Sequence, residues 1–596
     1  MAGREKLSVK RAPGSSADPR DYHSRRECLQ KQLSGMVDVR KPFEQEIYEI
    51  ASLAQPNRSR YVAAMSTRSN SRGRRANRLY DGKAVRSFRI LTGGMYSGMS
   101  SPNRPWFKFA LRDKDLMKYH PVSVWLAEAE RIVQQVLSAS NFYSAAKIGY
   151  AEVGLFGTDA CIMSEALDHE TGMVYPVCYP QTFGEYWIGL NEKLEPDRLF
   201  RQQMLTVRQM VRSFVKVQGG SNYDLDWSKV SQSVRNLWDA SKYETEVPIY
   251  HAIHANEEYI PGRLDDAGKP WSSAKWEAAG DSGPMLEEKG FWAQPFWAPR
   301  WEVAASDVYG FGPGHDALTD IRSLQLQAKR KGEATDMVVK PPLIAPAGLK
   351  IKYQPGSVTH ASSVDAAQVK PVFEVDVRAV ELIARDQMSL HDIIDDATYA
   401  RLFMMISSME GSSDRTIMEI AKREEEKLTQ LGPVIERVNN EKLGVAIDRV
   451  FDMCARNGMF PEPPEELSDM PIEIDFVSIL AQAQRMIGME QTERGLNFVG
   501  MMEKILPGSG AGDNIDSDAL VRDYWDRAGA PALGLRSDED RDALRDQRAQ
   551  AQQAEQMAAQ APALRDGAAA IKDLAATPVN GGEQTLFDSL IQQPAI

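Results

Sequence analysis

The rhythm of apolar positions changes along this chain, and the change divides it. Through "PVSVWLAEAERIVQQVLSASNF" the positions Leu126, Ala129, Val133, Val136 and Ser140 recur every three or four residues. That spacing lines one face of a helix, and Pro121 suits its first turn, where a missing N–H costs nothing. The residues that follow carry shorter runs: "ACIMSEAL", "MVYPVCY", "EYWIGL" and "VPIYHAIHA", with Gly, Asp and Asn in the turns between them. These predict strands, and "LTVRQMVRSF" and "VSQSVRNLWDA" predict helices among them. The region to about residue 312 is therefore expected to be mixed α+β.

Beyond it the rhythm is mostly helical. A helix is expected from about Asp316 to Met337, with Leu318, Ile321, Leu324 and Ala328 on one face. An insert with five prolines, "VVKPPLIAPAGLKIKYQPGSVTHASSVDAAQVKPVFEVD", breaks it and should be small, mostly β or loop. A second helix is predicted over "VRAVELIARDQMSLHDIIDDATYARLFMMISS", then a Gly/Ser break, "SSMEGSSD". A third, very long helix has Leu428, Leu431, Ile435, Val438, Lys442 and Val445 in steps of three and four. Ser413 or Asp414 fits its N-cap, Gly458 and Pro461 its end, and Pro433 should kink it. So long a periodic stretch needs a covering surface from outside itself.

After "EPPEELSDMPIEIDFVSILAQAQRM" more helix is expected. The C-terminal part is rich in Ala, Gln, Arg and Asp, too polar to bury much alone. It reads as an exposed helix, packed weakly or against copies of itself. "TLFDSLI" is either a docking peptide or a frayed end. At the other terminus, residues 1 to about 35 are polar and are expected to form a mobile arm. The fold class is helix-rich α+β.

Composition narrows the function. The 596 residues allow several packed units, and 43% hydrophobic with 26% charged residues is ordinary for a soluble globular protein. The formal net charge is −12. Proteins that grip nucleic acid by neutralising phosphates are usually basic, so any such contact here must be local or weak. No apolar run approaches the ~20 residues needed to cross a bilayer, and the N-terminus lacks the apolar core of a secretory signal. Cys28, Cys161, Cys178 and Cys454 are scattered without a CxxC pair, as in a reducing cytoplasm.

Arg58, Arg60, Arg68, Arg72, Arg74, Arg75 and Arg78 crowd one segment. They form either a patch for phosphates or an acidic partner, or a solvated arm or helix face; the interleaved Ser, Gly and Asn favour the latter. Phe291, Trp292, Phe296, Trp297 and Trp301 fall within "FWAQPFWAPRW". Aromatics so placed are core or subunit-interface payload more often than platforms for stacked bases.

A search for catalytic or metal chemistry comes back empty. "YGFGPGH", Tyr309 to His315, lacks the third glycine of a dinucleotide loop and the lysine of a P-loop. Pro313 removes an amide donor and Asp316 would repel phosphate, so the stretch reads as a turn into a helix. His251 and His254 would share a face on a helix and could bind metal, but "VPIYHAIHA" reads as a strand, where they point to opposite faces, which argues against a shared metal. Asp392, Asp395 and Asp396 in "DIIDD" read as a structural helix, and Glu424 to Glu426 as a solvated helix face. No serine elbow, kinase set or zinc cluster is present. No cofactor is implied, and an assembly protein is favoured over an enzyme.

Three stretches, in order, resemble the head-to-tail connector, or portal, family of short-tailed bacteriophages. They are "LTGGMYSGMSSPNRPWFKF", "VYGFGPGHDALTDIRSL" and "DRTIMEIAKREEEKLTQLGPVIERVNNEKLGVAIDRVFDMCARNGMFP". The family commonly has an Ala-Thr-Glu-like segment where this chain has "TIMEI". The likeness covers about residues 35 to 500. It implies a portal fold assembled as a ring of about twelve copies at one capsid vertex, a conduit for packaging and ejecting double-stranded DNA.

On that resemblance, 1–312 would be N-terminal arm and α+β wing, 313–340 the first stem helix, 341–373 the clip and 374–403 the second stem helix. Residues 404–414 would be the tunnel loop, 415–460 the long spine helix of the wing, and 461–596 the crown or barrel with a flexible tail. The implied partners are the terminase motor, the tail adaptor, and major capsid and scaffolding proteins. The implied place is the virion, after assembly in the host cytoplasm; no membrane is involved. Met409, Glu410, Gly411, Ser412 and Ser413 would form the tunnel loop. Lys340, Pro341, Pro342, Lys350 and Lys352 would lie in the clip. Lys329, Arg330 and Lys331 on the first stem helix would contact phosphate or pair with acids of a neighbouring subunit. An acidic lining lets DNA slide where a basic one would hold it. The rivals are another ring or tail protein of a virion, and a DNA-packaging ATPase or nuclease, which would need a Walker lysine or a carboxylate cluster.

Overall fold

A computed structural model describes residues 22–58; 79–215 except 118, 169 and 171; and 226–408 except 258, 264, 279–283, 348, 353–356, 361 and 373–375. It also describes 425–553 except 468–469, 481–488, 507–513, 528–535 and 537–539, together with 572. The chain forms two units, Met1–Ala511 and Gly512–Ile596.

The first unit opens with helix α1 (Tyr22–Ala54), which corrects the expectation of a mobile arm to about residue 35. Leu29, Leu33 and Met36 are four and three residues apart, and this apolar stripe is buried against Trp187, Phe200, Ala252 and Trp276. The polar composition hid it, because two arginines that look solvated are buried as well. Arg26 donates to the Glu277 carbonyl (2.9 Å), and the Arg40 guanidinium lies 4.3 Å from the centre of the Trp187 ring. A guanidinium is weakly hydrated and stacks flat on an indole, so Arg40 can be buried where a lysine could not.

Helices α2 (Lys83–Met99), α3 (His120–Ala139) and α4 (Phe142–Phe156) follow, with strand β1 (Phe107–Leu111) after α2. Leu126, Ala129, Val133 and Val136 of α3 are all buried, as their spacing predicts; Ser140 is its C-cap. The predicted strands are present as β2 (Ala160–Leu167), β3 (Val174–Gln181), β4 (Tyr186–Leu190) and β6 (Glu246–Ala255), and the helix predicted in "VSQSVRNLWDA" as α5 (Gln232–Asp239). The pattern missed β5 (Pro196–Thr206), β7 (Trp271–Glu277) and β8 (Glu287–Phe291). These carry Arg, Gln, Lys, Ser and Glu inside the ladder, which blurs the alternation that marks a strand. Strands β4 to β8 form one antiparallel sheet in sequence order. A second sheet places β2 between β3 and β9 (Phe296–Trp297).

The aromatic run resolves mainly as core: Phe296, Trp297 and Trp301 are buried, and Trp297 donates to Asp159 Oδ2 (3.1 Å). The glycines of "YGFGPGH" are there for close approach. A Cβ on Gly314 would overlap the Leu155 carbonyl oxygen, and one on Gly157 (φ +70°) would overlap that of Gly310. The Gly310 amide donates to Thr158 Oγ1 (2.8 Å), so the loop is sewn to the end of α4 before α6 (Pro313–Asp316) starts.

Next comes α7 (Leu318–Val339), then the two-stranded ladder of β10 (Leu343–Ile344) and β11 (Lys370–Pro371), with α8 (Ser363–Gln368) in the loop between them. The chain returns through α9 (Val377–Ala397) and α10 (Ala400–Ser408). The sequence predicts these last two as one helix. Tyr399, at φ +52°, interrupts it.

The long helix is described from α11 (Glu425–Val438) through a π-helical stretch, Asn439–Gly444, into α12 (Val445–Arg456). Pro433 lies within α11, and the winding changes from α to π over 439–444. Leu431, Ile435, Val438 and Lys442 are all buried, and Gly458 (φ +63°) ends the helix as expected. Strand β12 (Ile472–Phe476), which the pattern missed, pairs antiparallel with β1; α13 (Met489–Ile505) follows. In the second unit, Arg545 grips Asp518 of α14 (Ser517–Arg527) through two hydrogen bonds of 2.6 Å. "TLFDSLI" and the proposed N-cap of the long helix lie outside the described residues.

Candidate functional site

Two features of the first unit are too costly or too unusual to be accidental: a buried ionic joint and an apolar-surfaced helical hairpin. The joint fastens the long helix to the α+β body. Lys442 has no exposed surface; its ammonium donates to Asp159 Oδ2 (2.9 Å) and the Ala146 carbonyl (3.3 Å) and lies 4.4 Å from the centre of the Tyr150 ring. A buried ion pair is costly unless its charges are hydrogen-bonded, and Trp297 donates a further bond to Asp159 Oδ2, while the buried Oδ1 has no partner among the described residues. Gly149 makes room, since a Cβ there would overlap both charged groups.

Further ion pairs continue the joint along the helix. Arg300 meets Glu441 (2.8 Å), Arg449 meets Glu165 (2.9 Å), and Arg456 meets Glu165 (2.8 Å). In the sequence Lys442 stands on an apolar stripe among leucines and valines. That mismatch was the available signal.

A second buried carboxylate, Glu152, accepts from Thr182 Oγ1 (3.2 Å) and the Phe183 amide (3.3 Å) and pairs with Arg58. Burial pushes its pKa up to about 7; Arg58 opposes the rise and Asp159 adds to it. Arg58 is thus an anchor, not part of a free basic patch. Arg60, Arg68, Arg72, Arg74, Arg75 and Arg78 lie outside the described residues.

The hairpin is α7 and α9 with the small ladder at its tip. Its root is buried: Leu318, Ile321 and Leu324 join Ile394 in the main core. Polar contacts hold it there. Gln325 accepts from the amides of Tyr80 (2.8 Å) and Asp81 (3.2 Å) and donates to the Asp81 carbonyl (2.7 Å). His391 meets Asp81 (2.9 Å), and Asp395 takes Ser87 Oγ (2.7 Å) and Lys83. Farther out, Lys331 donates to Gln387 (3.2 Å), and the Val372 amide to the Pro342 carbonyl (2.8 Å).

The apolar surface is then left in solvent. Leu326, Met337, Val339, Ile344, Leu382 and Met388 are all exposed in the single chain. Soluble monomers rarely leave so many large apolar side chains of one hairpin uncovered.

The sequence candidates sort against this frame. Lys329 is exposed and its nearest acid is Glu333 at 3.8 Å; Arg330 is exposed; Lys331 is engaged inside the hairpin. Lys340, Pro342, Lys350 and Lys352 are exposed and Pro341 half-buried, all beyond α7. Met409, Glu410, Gly411, Ser412 and Ser413 lie outside the described residues. The "DIIDD" acids are structural: Asp392 and Asp396 meet Arg401, and Asp396 also meets Lys427.

His251 is buried between Arg201 (3.1 Å) and Ser273 (2.8 Å), and burial with the Arg201 charge holds its pKa well below the ordinary histidine value. Its side chain and that of His254 alternate across β6 as predicted. Among the described residues no group of His, Cys, Asp and Glu is arranged to hold a metal ion, and no helix is long and apolar enough to cross a membrane.

An α+β body with a long fastened helix and a hairpin that needs covering describes an assembly subunit. The sequence profile described as "Bacteriophage head to tail connecting protein" matches residues 26–535, and the chain belongs to that family. It is 34% identical to the "Portal protein" of Salmonella phage epsilon15 over 554 residues, 92% of this chain and 95% of the relative. It is 33% identical to the "Probable portal protein" of Bordetella phage BPP-1 over 519 residues, 86% of this chain and 89% of the relative. Its function is that of a phage portal, connecting head to tail as a structural component of the virion.

Proposed function

We propose that copies of this chain close into a ring, about twelve-fold, whose axial channel conducts double-stranded DNA during packaging and ejection. The single observation that carries the ring is the exposed apolar surface of α7 and α9, which neighbouring copies would cover. The body to residue 312, with the long helix as its spine, serves as the wing. Helices α7 and α9 serve as the stem, and residues 341–373, tied at their base by the β10–β11 ladder, as the clip. The clip is where the packaging motor and then the tail adaptor would dock, and the acidic overall charge suits a channel that must not hold phosphate. Assembly would proceed in the host cytoplasm with scaffolding and major capsid proteins.

The test is the particle itself. Purified full-length chain, weighed by native mass spectrometry and imaged by electron microscopy, should give closed rings of about twelve copies with a central hole. Monomers, or open head-to-tail filaments at every concentration and salt tried, would contradict the ring.

A further inference from the structure

On the reading that the hairpin is the stem of a ring, we infer that α7 of one copy packs on α9 of the next through a specific stripe of two apolar contacts and two ion pairs. On α7 the outward residues Leu326, Arg330, Glu333 and Met337 are spaced four, three and four apart, so they share one face. On α9, Leu382, Asp386 and Ile393 recur at four and seven on an outward face, with Arg385 beside them. The apolar ends of both stripes are bare: Leu326 48%, Met337 43%, Leu382 61% and Ile393 44% exposed. Among the described residues no ion pair within the chain engages Arg330, Arg385 or Asp386.

The register follows from symmetry. Rotation about a ring axis leaves every residue at its own height along that axis, so residues level with each other within one hairpin are level between neighbouring hairpins. The Lys331–Gln387 bond sets the level inside the hairpin, and both antiparallel helices rise about 1.5 Å per residue. Leu326 then lies level with Ile393, Glu333 with Arg385 and Met337 with Leu382, each to within about one residue. Arg330 lies about two residues, some 3 Å, from the level of Asp386, well within the reach of its side chain.

Hydrophobic contacts thus fall at both ends of the stripe and opposite charges between them. This arrangement fits a second copy of the same chain. A DNA phosphate backbone would match Arg330 but would be repelled by Glu333 and offered nothing by Leu326 and Met337.

A charge exchange in the full-length chain tests the pairing. Arg330→Asp and Asp386→Arg each should lower the fraction of chains in rings about tenfold at a fixed concentration near half-assembly, and the combined Arg330→Asp/Asp386→Arg chain should recover most of it. Both side chains are exposed on helix surfaces, so far-ultraviolet circular dichroism of each variant should match the parent. Independently, Leu326→Cys with Ile393→Cys in a Cys28→Ser background should give a ladder of disulfide-linked multimers under mild oxidation.

Rings unaffected by the single reversals, or a combined variant no better than either, would overturn the pairing while leaving the ring intact. So would variants that assemble normally but lose DNA packaging, since Arg330 would then serve phosphate. A parent chain that never closes would overturn the ring and the pairing together.

Discussion

Lys442 has no exposed surface while Leu382 leaves most of its own in solvent, and they stand for two regions built on different terms. In the body, even charges are buried, because partners from α4, β2 and β9 meet them within hydrogen-bond distance. In the hairpin, apolar side chains beyond the root stay exposed, since no described part of the chain covers them. A buried lysine with two oxygen partners and an aromatic face specifies one arrangement of helix against body. An exposed leucine specifies nothing until another molecule arrives. The body is therefore expected to fold as a monomer does, and the hairpin to complete its packing only on assembly.

The largest break should come from Lys442→Met, which strands Asp159 without its cation. A loss of about 3–5 kcal/mol in urea unfolding is expected, with part recovered when Asp159→Asn is added. Gly314→Ala should rank next, at about 3 kcal/mol, since its Cβ would drive into the Leu155 carbonyl and neither backbone can retreat; the unfolding midpoint reads this.

The comparison sharpens with pH. Glu152 titrates at about 7 in the folded chain against an ordinary value of 4.5, so between those values the folded chain keeps a proton that the unfolded one has released. Its contribution to stability is therefore lost as pH rises from about 4.5 to 7, by about 2 kcal/mol. Denaturation at pH 5 and pH 7 should show the fall, and Glu152→Gln should flatten it. The smallest effect belongs to the hairpin: Leu382→Lys should leave the stability of the unassembled chain within about 0.5 kcal/mol while weakening assembly.

How much of this was legible in the sequence follows the same division. Helices α3 and α7 declared themselves through a single apolar face, and strands β2, β3 and β6 through short apolar runs bounded by turn residues. Helix α1 did not, because Arg26 and Arg40 stand on its buried side and the average looked solvated. Strands β5 and β7 were lost for a like reason: Arg201 and Ser273 sit in their ladders as partners of His251, a relation visible only once the strands are side by side. The pairing of β1 with β12 joins residues more than half the chain apart, which no local pattern records. The joint at Lys442 was half visible, since its place on an apolar stripe was plain but Asp159 was not. The hairpin was read as two helices and an insert; its level register needed the Lys331–Gln387 contact.

The central claim is that the exposed face of α7 and α9 is the surface on which copies of this chain meet. Electron cryomicroscopy of the assembled full-length particle, at a resolution that shows side chains, tests it most directly. The account predicts Leu326 and Met337 of one copy against Ile393 and Leu382 of the next. A ring closed through the α+β bodies alone, with these four side chains still in solvent, would contradict it.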